Sequence, residues 1–226
     1  MKSFNYTHKG KRNRNEDYFL ERKLSPKSSV YIVADGMGGY SNGDMAAKLV
    51  AESICGYLAD NKSKKSYLHS IEKATAFANQ QVREASHHFN VKMGATFAAL
   101  YFTPRHVFAF WMGDVRIYQF QNSDVVFQSK DHSMINELLK ERSLTAVEIE
   151  RYGSFVTNCI SGDSDTGKVE IVELQNIENS VFFICSDGFH RAIDPIQLSC
   201  EDFLSNEKLN NIANNANDNL TFMLIG

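Results

Sequence analysis

The sequence has no cysteine pair, no stretch rich in proline and glycine, no long unbroken apolar run and no strong excess of charge. Its four cysteines, Cys55, Cys159, Cys185 and Cys200, are scattered. None forms a Cys-x-x-Cys pair or has a histidine at zinc-ligand spacing, which excludes a small zinc fold and argues for free thiols in a reducing compartment. Only three prolines occur in 226 residues, and no linker, internal repeat or low-complexity tract divides the chain. One domain over residues 1–226 is therefore expected. The longest apolar region, 95–112, is broken by Thr103-Pro104-Arg105-His106 and is too interrupted to span a bilayer. The first residues lead into basic and polar positions without the apolar stretch of a signal peptide, so a cytoplasmic location away from membranes is expected. A net charge of −3 lacks the strongly basic face of a nucleic-acid binder.

What the chain does have is aromatic bulk. Sixteen phenylalanines and nine tyrosines supply the apolar surface for a substantial core and exclude a disordered chain. Short apolar runs at 30–34, 96–102, 107–112, 115–120, 169–174, 181–185 and 220–225 read as strands. The turn chemistry of 103–106 makes an antiparallel hairpin of 96–102 and 107–112, and Gly113-Asp114 joins 107–112 to 115–120. Apolar residues at three- and four-residue spacing predict helices over 44–58 and 67–89. Further helical segments are expected at 134–142 and 145–152, the second opened by a Thr145/Glu148 capping box, and Asp194-Pro195 looks like another helix start. Strands and helices come in groups rather than alternating one for one. That favours an α+β layered architecture with largely antiparallel sheets over a doubly wound parallel sheet.

The carboxylates stand at the edges of these apolar runs. Glu16-Asp17 precedes Tyr18-Phe19, Asp35 follows 31–34 and opens Gly36-Met37-Gly38-Gly39, Asp114 follows Trp111-Met112-Gly113, Asp187 follows 181–186, and Asp218 precedes the last strand. Any one of them alone is a commonplace turn residue. Together they suggest acidic groups converging on one rim of a packed sheet, where mutual repulsion must be neutralised by cations. Oxygen ligands select hard ions such as Mg²⁺ or Mn²⁺, and a pair of such ions suits phosphoryl hydrolysis. On these residues alone the reading is a metal hydrolase.

Taken in order, the motifs resemble the protein phosphatase 2C (PPM) family, in particular its short bacterial members. Arg12-Asn13-Arg14-Asn15-Glu16-Asp17, Asp35-Gly36-Met37-Gly38-Gly39, Gly94-Ala95-Thr96, Gly113-Asp114-Val115-Arg116, Asp131-His132-Ser133, Cys185-Ser186-Asp187-Gly188 and Asp218-Asn219-Leu220-Thr221 carry the resemblance over nearly the whole chain. Each is weak alone, and the ordered set is specific. The resemblance implies a four-layer α-β-β-α sandwich, two packed, mostly antiparallel sheets flanked by helix pairs, with a variable flap over about 134–168. It implies a protein serine/threonine phosphatase that hydrolyses phosphoserine and phosphothreonine in one step, by attack of a hydroxide bridging two Mn²⁺ or Mg²⁺ ions. Asp35 would bridge the ions, with the Gly36 carbonyl on the first and Asp187 and Asp218 on the second. Glu16 and Asp17 would act through bound waters, Asp114 with Asp187 would match the ligands of a weaker third ion, and Arg12 would grip the substrate phosphate. Asn219 would orient Asp218 or a water, and Thr96 and Ser133 would brace the site.

Three positions depart from the family pattern. Val115 replaces a serine, Met37 stands where many eukaryotic relatives have a histidine general acid, and Tyr152-Gly153 stands near a His-Pro common in bacterial members. His132 is expected to be a helix-entry or structural residue, and Arg14 and Arg116 to be surface or structural. Cys185 lacks the Cys-x5-Arg loop of cysteine phosphatases, and Met37, Met93 and Met112 are expected to be packing residues. The partners implied are phosphorylated proteins and an opposing Ser/Thr kinase, with the chain acting as a monomer. The alternative is a pseudophosphatase that binds phosphoproteins without turnover.

Overall fold

Alternation along the strands sorts the apolar side chains into two sets, because successive residues of a strand point to opposite faces. In the computed structural model, which describes residues 2–37, 42–61, 66–122, 124–164, 167–175, 177–197 and 205–226, those sets fill different seams. Gly38, Gly39 and Cys200 lie outside the described residues. The strands are β1 (Ser3–His8), β2 (Asp17–Ser25), β3 (Ser28–Gly36), β4 (Ala95–Phe102), β5 (Val107–Met112), β6 (Arg116–Gln121), β7 (Asp124–Gln128), β8 (Glu170–Leu174), β9 (Ser180–Cys185) and β10 (Leu220–Ile225). They form two five-stranded sheets, β1-β10-β9-β6-β7 and β2-β3-β4-β5-β8. Every pairing is antiparallel.

Val30, Ile32 and Ala34 of β3, with Phe97 and Ala99 of β4, pack against α1 (Gly43–Asp60) and α2 (Tyr67–Phe89). The intervening Tyr31, Val33, Ala98 and Leu100 face the other sheet and meet Phe182, Ile184, Met223 and Ile225. On that sheet's far side Phe183, Cys185, Leu220 and Phe222 pack with Phe189 of α5 (Asp187–Ala192) and Leu209 of α6 (Asn206–Asn215). Three apolar seams therefore separate four layers, α-β-β-α. Strands buried on both faces read as continuous apolar runs for this reason. Full burial of one such Phe, Leu or Ile side chain contributes about 1.5–3 kcal/mol.

Two shorter helices, α3 (Met134–Leu139) and α4 (Ala146–Tyr152), follow β7 and bury no side chain fully. The α4 capping box forms as expected, with Thr145 Oγ1 accepting from the Glu148 N–H and the Glu148 carboxylate accepting from the Thr145 N–H. Asp194-Pro195 opens a 3-10 turn, Pro195–Gln197, and residues 198–204 beyond it lie outside the described residues. Among the described residues the helix pair on the second sheet is α5 and α6, neither of which the apolar spacing announces. No helix among the described residues is long and apolar enough to cross a membrane.

Candidate functional site

Strand register brings three predicted residues abreast. Asp17 of β2 pairs with Asp35 of β3, and Asp35 pairs with Thr96 of β4. Asp35 and Thr96 share the parity of Val33 and Ala98, so they continue the inter-sheet face at the end of the sheet where the apolar filling stops. Asp35 thus lies inside its strand rather than after it. From the opposite sheet, Ser186 follows the inward-facing Ile184 by two residues, and its Oγ donates to Asp17 Oδ2 at 2.8 Å. Asp187 begins α5, and Asp218 stands two residues before β10. Between the sheets a cleft of about 490 Å³ is lined by Arg12, Glu16, Asp35, Gly36, Met37, Thr96, Asp114, Asp187, Asp218 and Asn219, with Arg191 and residues Ser154, Phe155 and Val156 at its edge. Of the ten predicted site residues only Asp17 is set behind this wall.

Crowding of like charge shows in the acidities. Burial raises Asp35 well above the usual carboxylate range, and the charges of Asp17, Asp187 and Asp114 and a hydrogen bond with the Asp187 carboxyl add to it. Asp17 is pushed up to about 7, by burial first, with Ser186 and Thr221 opposing as donors. Asp114, 6% exposed, is also pushed up to about 7 by burial and by Asp187, while Arg191 pulls it down. Glu16 is raised by burial and by Asp44. Two arginines answer part of this charge. Arg12 Nη2 donates to Asp218 Oδ2 at 2.7 Å, and Arg191 contacts Asp187 Oδ2 at 3.0 Å and Asp114 Oδ2 at 3.3 Å.

Close backbone packing holds the walls together. A Cβ on Gly36 would lie 2.2 Å from the Gly43 carbonyl oxygen and 2.7 Å from that of Glu16, and one on Gly188 would lie 2.0 Å from that of Asn219. Only glycine permits such approach. The Asn219 side chain is committed to the loop that carries Arg12 and Glu16. Its Oδ1 accepts from the Glu16 N–H, and its Nδ2 donates to the carbonyls of Lys9 and Arg14. It touches Asp218 through its backbone N–H, at 2.9 Å from Oδ1, and not through its side chain.

Several residues sit apart from the cleft chemistry. His132 Nδ1 accepts from the Gly113 N–H, and its Nε2 lies 3.1 Å from Glu170 Oε2, so the ring braces a turn. Ser133 Oγ caps α3 by accepting from the Asn136 N–H. Arg116 makes a two-pronged pair with Asp131 at 2.8 and 2.7 Å. Cys185 is fully buried in β9, where burial drives its thiol well above the ordinary value and keeps it protonated. Met93 and Met112 are in the core, whereas Met37 lines the cleft. The sequence pattern assigns no role to Ser186 or Arg191. The inward parity of β9 could have pointed to Ser186, and the four-residue step from Asp187 to Arg191.

The donor set suits a hard divalent cation. It consists of carboxylate oxygens, with Gly36 beside them in the lining of the cleft. Asp17 Oδ1 and Thr96 Oγ1 are buried without hydrogen-bond partners among the described residues. Such atoms are costly unless a water or ion meets them. Among the described residues no three His, Cys, Asp or Glu side chains are drawn around a single point as ligands. The carboxylates meet in pairs, and Asp114, Asp187 and Asp218 lean on arginines.

The sequence profile described as protein phosphatase 2C matches residues 5–220. Protein phosphatase PhpP of Streptococcus pneumoniae is 25% identical over 234 residues, covering 95% of this chain and 92% of that protein. A Streptococcus agalactiae serine/threonine phosphatase superposes with a TM-score of 0.82 at 23% identity, over 99% of this chain and 98% of that one. The catalytic domain of the serine/threonine protein phosphatase PstP, solved with two manganese ions, superposes with a TM-score of 0.78 at 20% identity, over 99% and 96%.

Proposed function

Since the chain belongs to the protein phosphatase 2C family, we propose that it is a metal-dependent protein serine/threonine phosphatase acting on phosphoserine and phosphothreonine. The observation that carries this reading is the pair Asp35 and Thr96 on one sheet, with Asp17 abreast of Asp35 and set behind them, lining one cleft with Asp187 and Asp218 from the other sheet.

Asp35, the Gly36 carbonyl, Asp187 and Asp218 would hold two Mn²⁺ or Mg²⁺ ions. When bound, such ions supply Lewis acidity toward phosphoryl oxygens and lower the pKa of coordinated water. Asp17 and Glu16 stand behind and beside this set, where they orient water by accepting its hydrogens. Ser186 keeps Asp17 in place from the opposite sheet. Arg12, half exposed at the rim, presents a planar, permanently charged fork suited to the equatorial oxygens of a phosphate. Asn219 sets Arg12 and Glu16 relative to Asp218 by tying their loop to the start of β10. No side chain in the cleft serves as a nucleophile in this scheme, and the protonated, buried Cys185 has no path to substrate. Residues 134–168 would form a flap over the cleft and select among phosphoproteins, which an opposing kinase would supply. A cytoplasmic setting suits the free Cys55, Cys159 and Cys185.

Hydrolysis of p-nitrophenyl phosphate and of a phosphothreonine peptide tests the reading. Turnover is expected with Mn²⁺, is abolished by EDTA, and falls at least 100-fold in Asp35→Asn. Mn²⁺-independent turnover, or none with either substrate at saturating Mn²⁺, would overturn it, the latter leaving a phosphoprotein-binding module.

A further inference from the structure

The guanidinium of Arg191 lies between the two carboxylates that would otherwise share an outlying cation. Helical spacing puts Arg191 one turn beyond Asp187, so its Nη1 returns over Asp187 Oδ2 at 3.0 Å. Its Nη2 reaches Asp114 Oδ2 at 3.3 Å, in the connection that crosses from β5 to β6, and also donates to the carbonyl of Gly153 at 3.2 Å, at the end of α4. The two acids are nearly closed off from solvent, with side-chain exposures of 9% and 13%. A carboxylate pair so enclosed needs a cation beside it. An arginine meets that need permanently, because it does not lose its proton in proteins. One fork therefore joins helix α5, the inter-sheet crossing and the segment 153–156 that edges the cleft.

We propose that Arg191 is the resident cation of the Asp114–Asp187 position. It restricts the centre to two exchangeable divalent ions and fastens the end of α4 to the cleft. A divalent ion placed between the same oxygens would collide with the guanidinium and be repelled by it, so the two are mutually exclusive. The segment 134–156 is in turn tied to the centre by a bond that survives loss of metal.

This inference rests on the two-ion reading above, and the experiment separates the two. Mn²⁺ bound per chain is measured by equilibrium dialysis with elemental analysis, at concentrations up to tens of millimolar, for the unaltered protein, Arg191→Ala, Arg191→Gln, and Arg191→Ala combined with Asp114→Asn. The unaltered protein should bind two ions. Arg191→Ala should bind a third, weaker one, which the added Asp114→Asn removes, and Arg191→Gln gives the same reading if the alanine variant does not fold. Two ions in every variant, or three in the unaltered protein, would overturn the proposal. No bound Mn²⁺ in the unaltered protein would instead overturn the two-ion reading itself. Limited trypsin digestion reads the fastening. Cleavage after Arg151 should accelerate about tenfold in Arg191→Ala under EDTA, and an unchanged rate would refute that part.

Discussion

Asp17 sits where ionisation is expensive, with Oδ1 buried and unpartnered among the described residues and Oδ2 receiving the Ser186 hydroxyl. A carboxyl whose folded pKa is raised adds stability in full below its unfolded value of about 4, and loses it as pH rises through the folded value. For Asp17 and Asp114 that loss runs from about 4 to about 7 and levels off above it, and Asp35 acts in the same direction. His190 opposes them. Burial lowers its pKa, so its contribution is present at neutral pH and is lost as pH falls through that lowered value. From pH 8 down to 6.5 the carboxyls dominate. With cations removed, the protein should gain on the order of 1–2 kcal/mol over that interval, or roughly 3–6 °C in Tm. With saturating Mn²⁺ the order should reverse, because ligands must be ionised to bind. Differential scanning fluorimetry in EDTA and in Mn²⁺ measures both, and the same order in the two would contradict carboxylates shared with ions.

At the scale of elements, α5 rests directly on the start of β10 because Gly188 has no side chain. Gly188→Ala would drive a methyl into the Asn219 carbonyl and against Asp218 Cβ, 3.1 Å away. The expected cost is about 1–3 kcal/mol by urea denaturation. Mn²⁺ affinity should fall at least tenfold as Asp187 and Asp218 separate, and an unchanged affinity beside lowered stability would mean that these acids do not serve one ion. The elements that sequence reading missed have a common physical character. The strands buried on both faces, such as Ala95–Phe102, were legible as unbroken apolar runs. β1, β2 and β7 were not, and all three are edge strands whose outer faces are wet and whose residues mix polar and apolar character. The ten residues of α6 include five asparagines, and its burial rests on Leu209 and Ala213. Six-residue α5 is too short for a period to show. The acids of the site were legible because they flank apolar runs. Their arrangement was not, since it depends on which strands pair and in what register, as with Asp17 opposite Asp35. Local spacing does not encode that register.

For the molecule as a whole, three apolar seams bind four layers, and the central seam should make them one cooperative unit. Trp111, 2% exposed, lies in that seam with its Nε1 donating to the Lys130 carbonyl at 2.9 Å and its ring stacked on His132. As the chain's single tryptophan, it reports the separation of the sheets. Its fluorescence and the far-ultraviolet circular dichroism should therefore lose their native signals at the same urea concentration. A dichroism change that precedes the fluorescence change would mean that a layer leaves before the sandwich opens, against a single domain.

The acids gather at one end of the paired sheets, while Phe102 and Phe182 meet edge to face at the other. From Thr96 to Phe102 the strand gives a lever of roughly 20 Å. The sandwich is thus laid out like a clothes peg, with aromatic rings in contact at one end and paired opposite charges at the other. The Arg191 fork between Asp114 and Asp187 and the Arg12 pair with Asp218 thus lie at the far end of that lever from the aromatic contact.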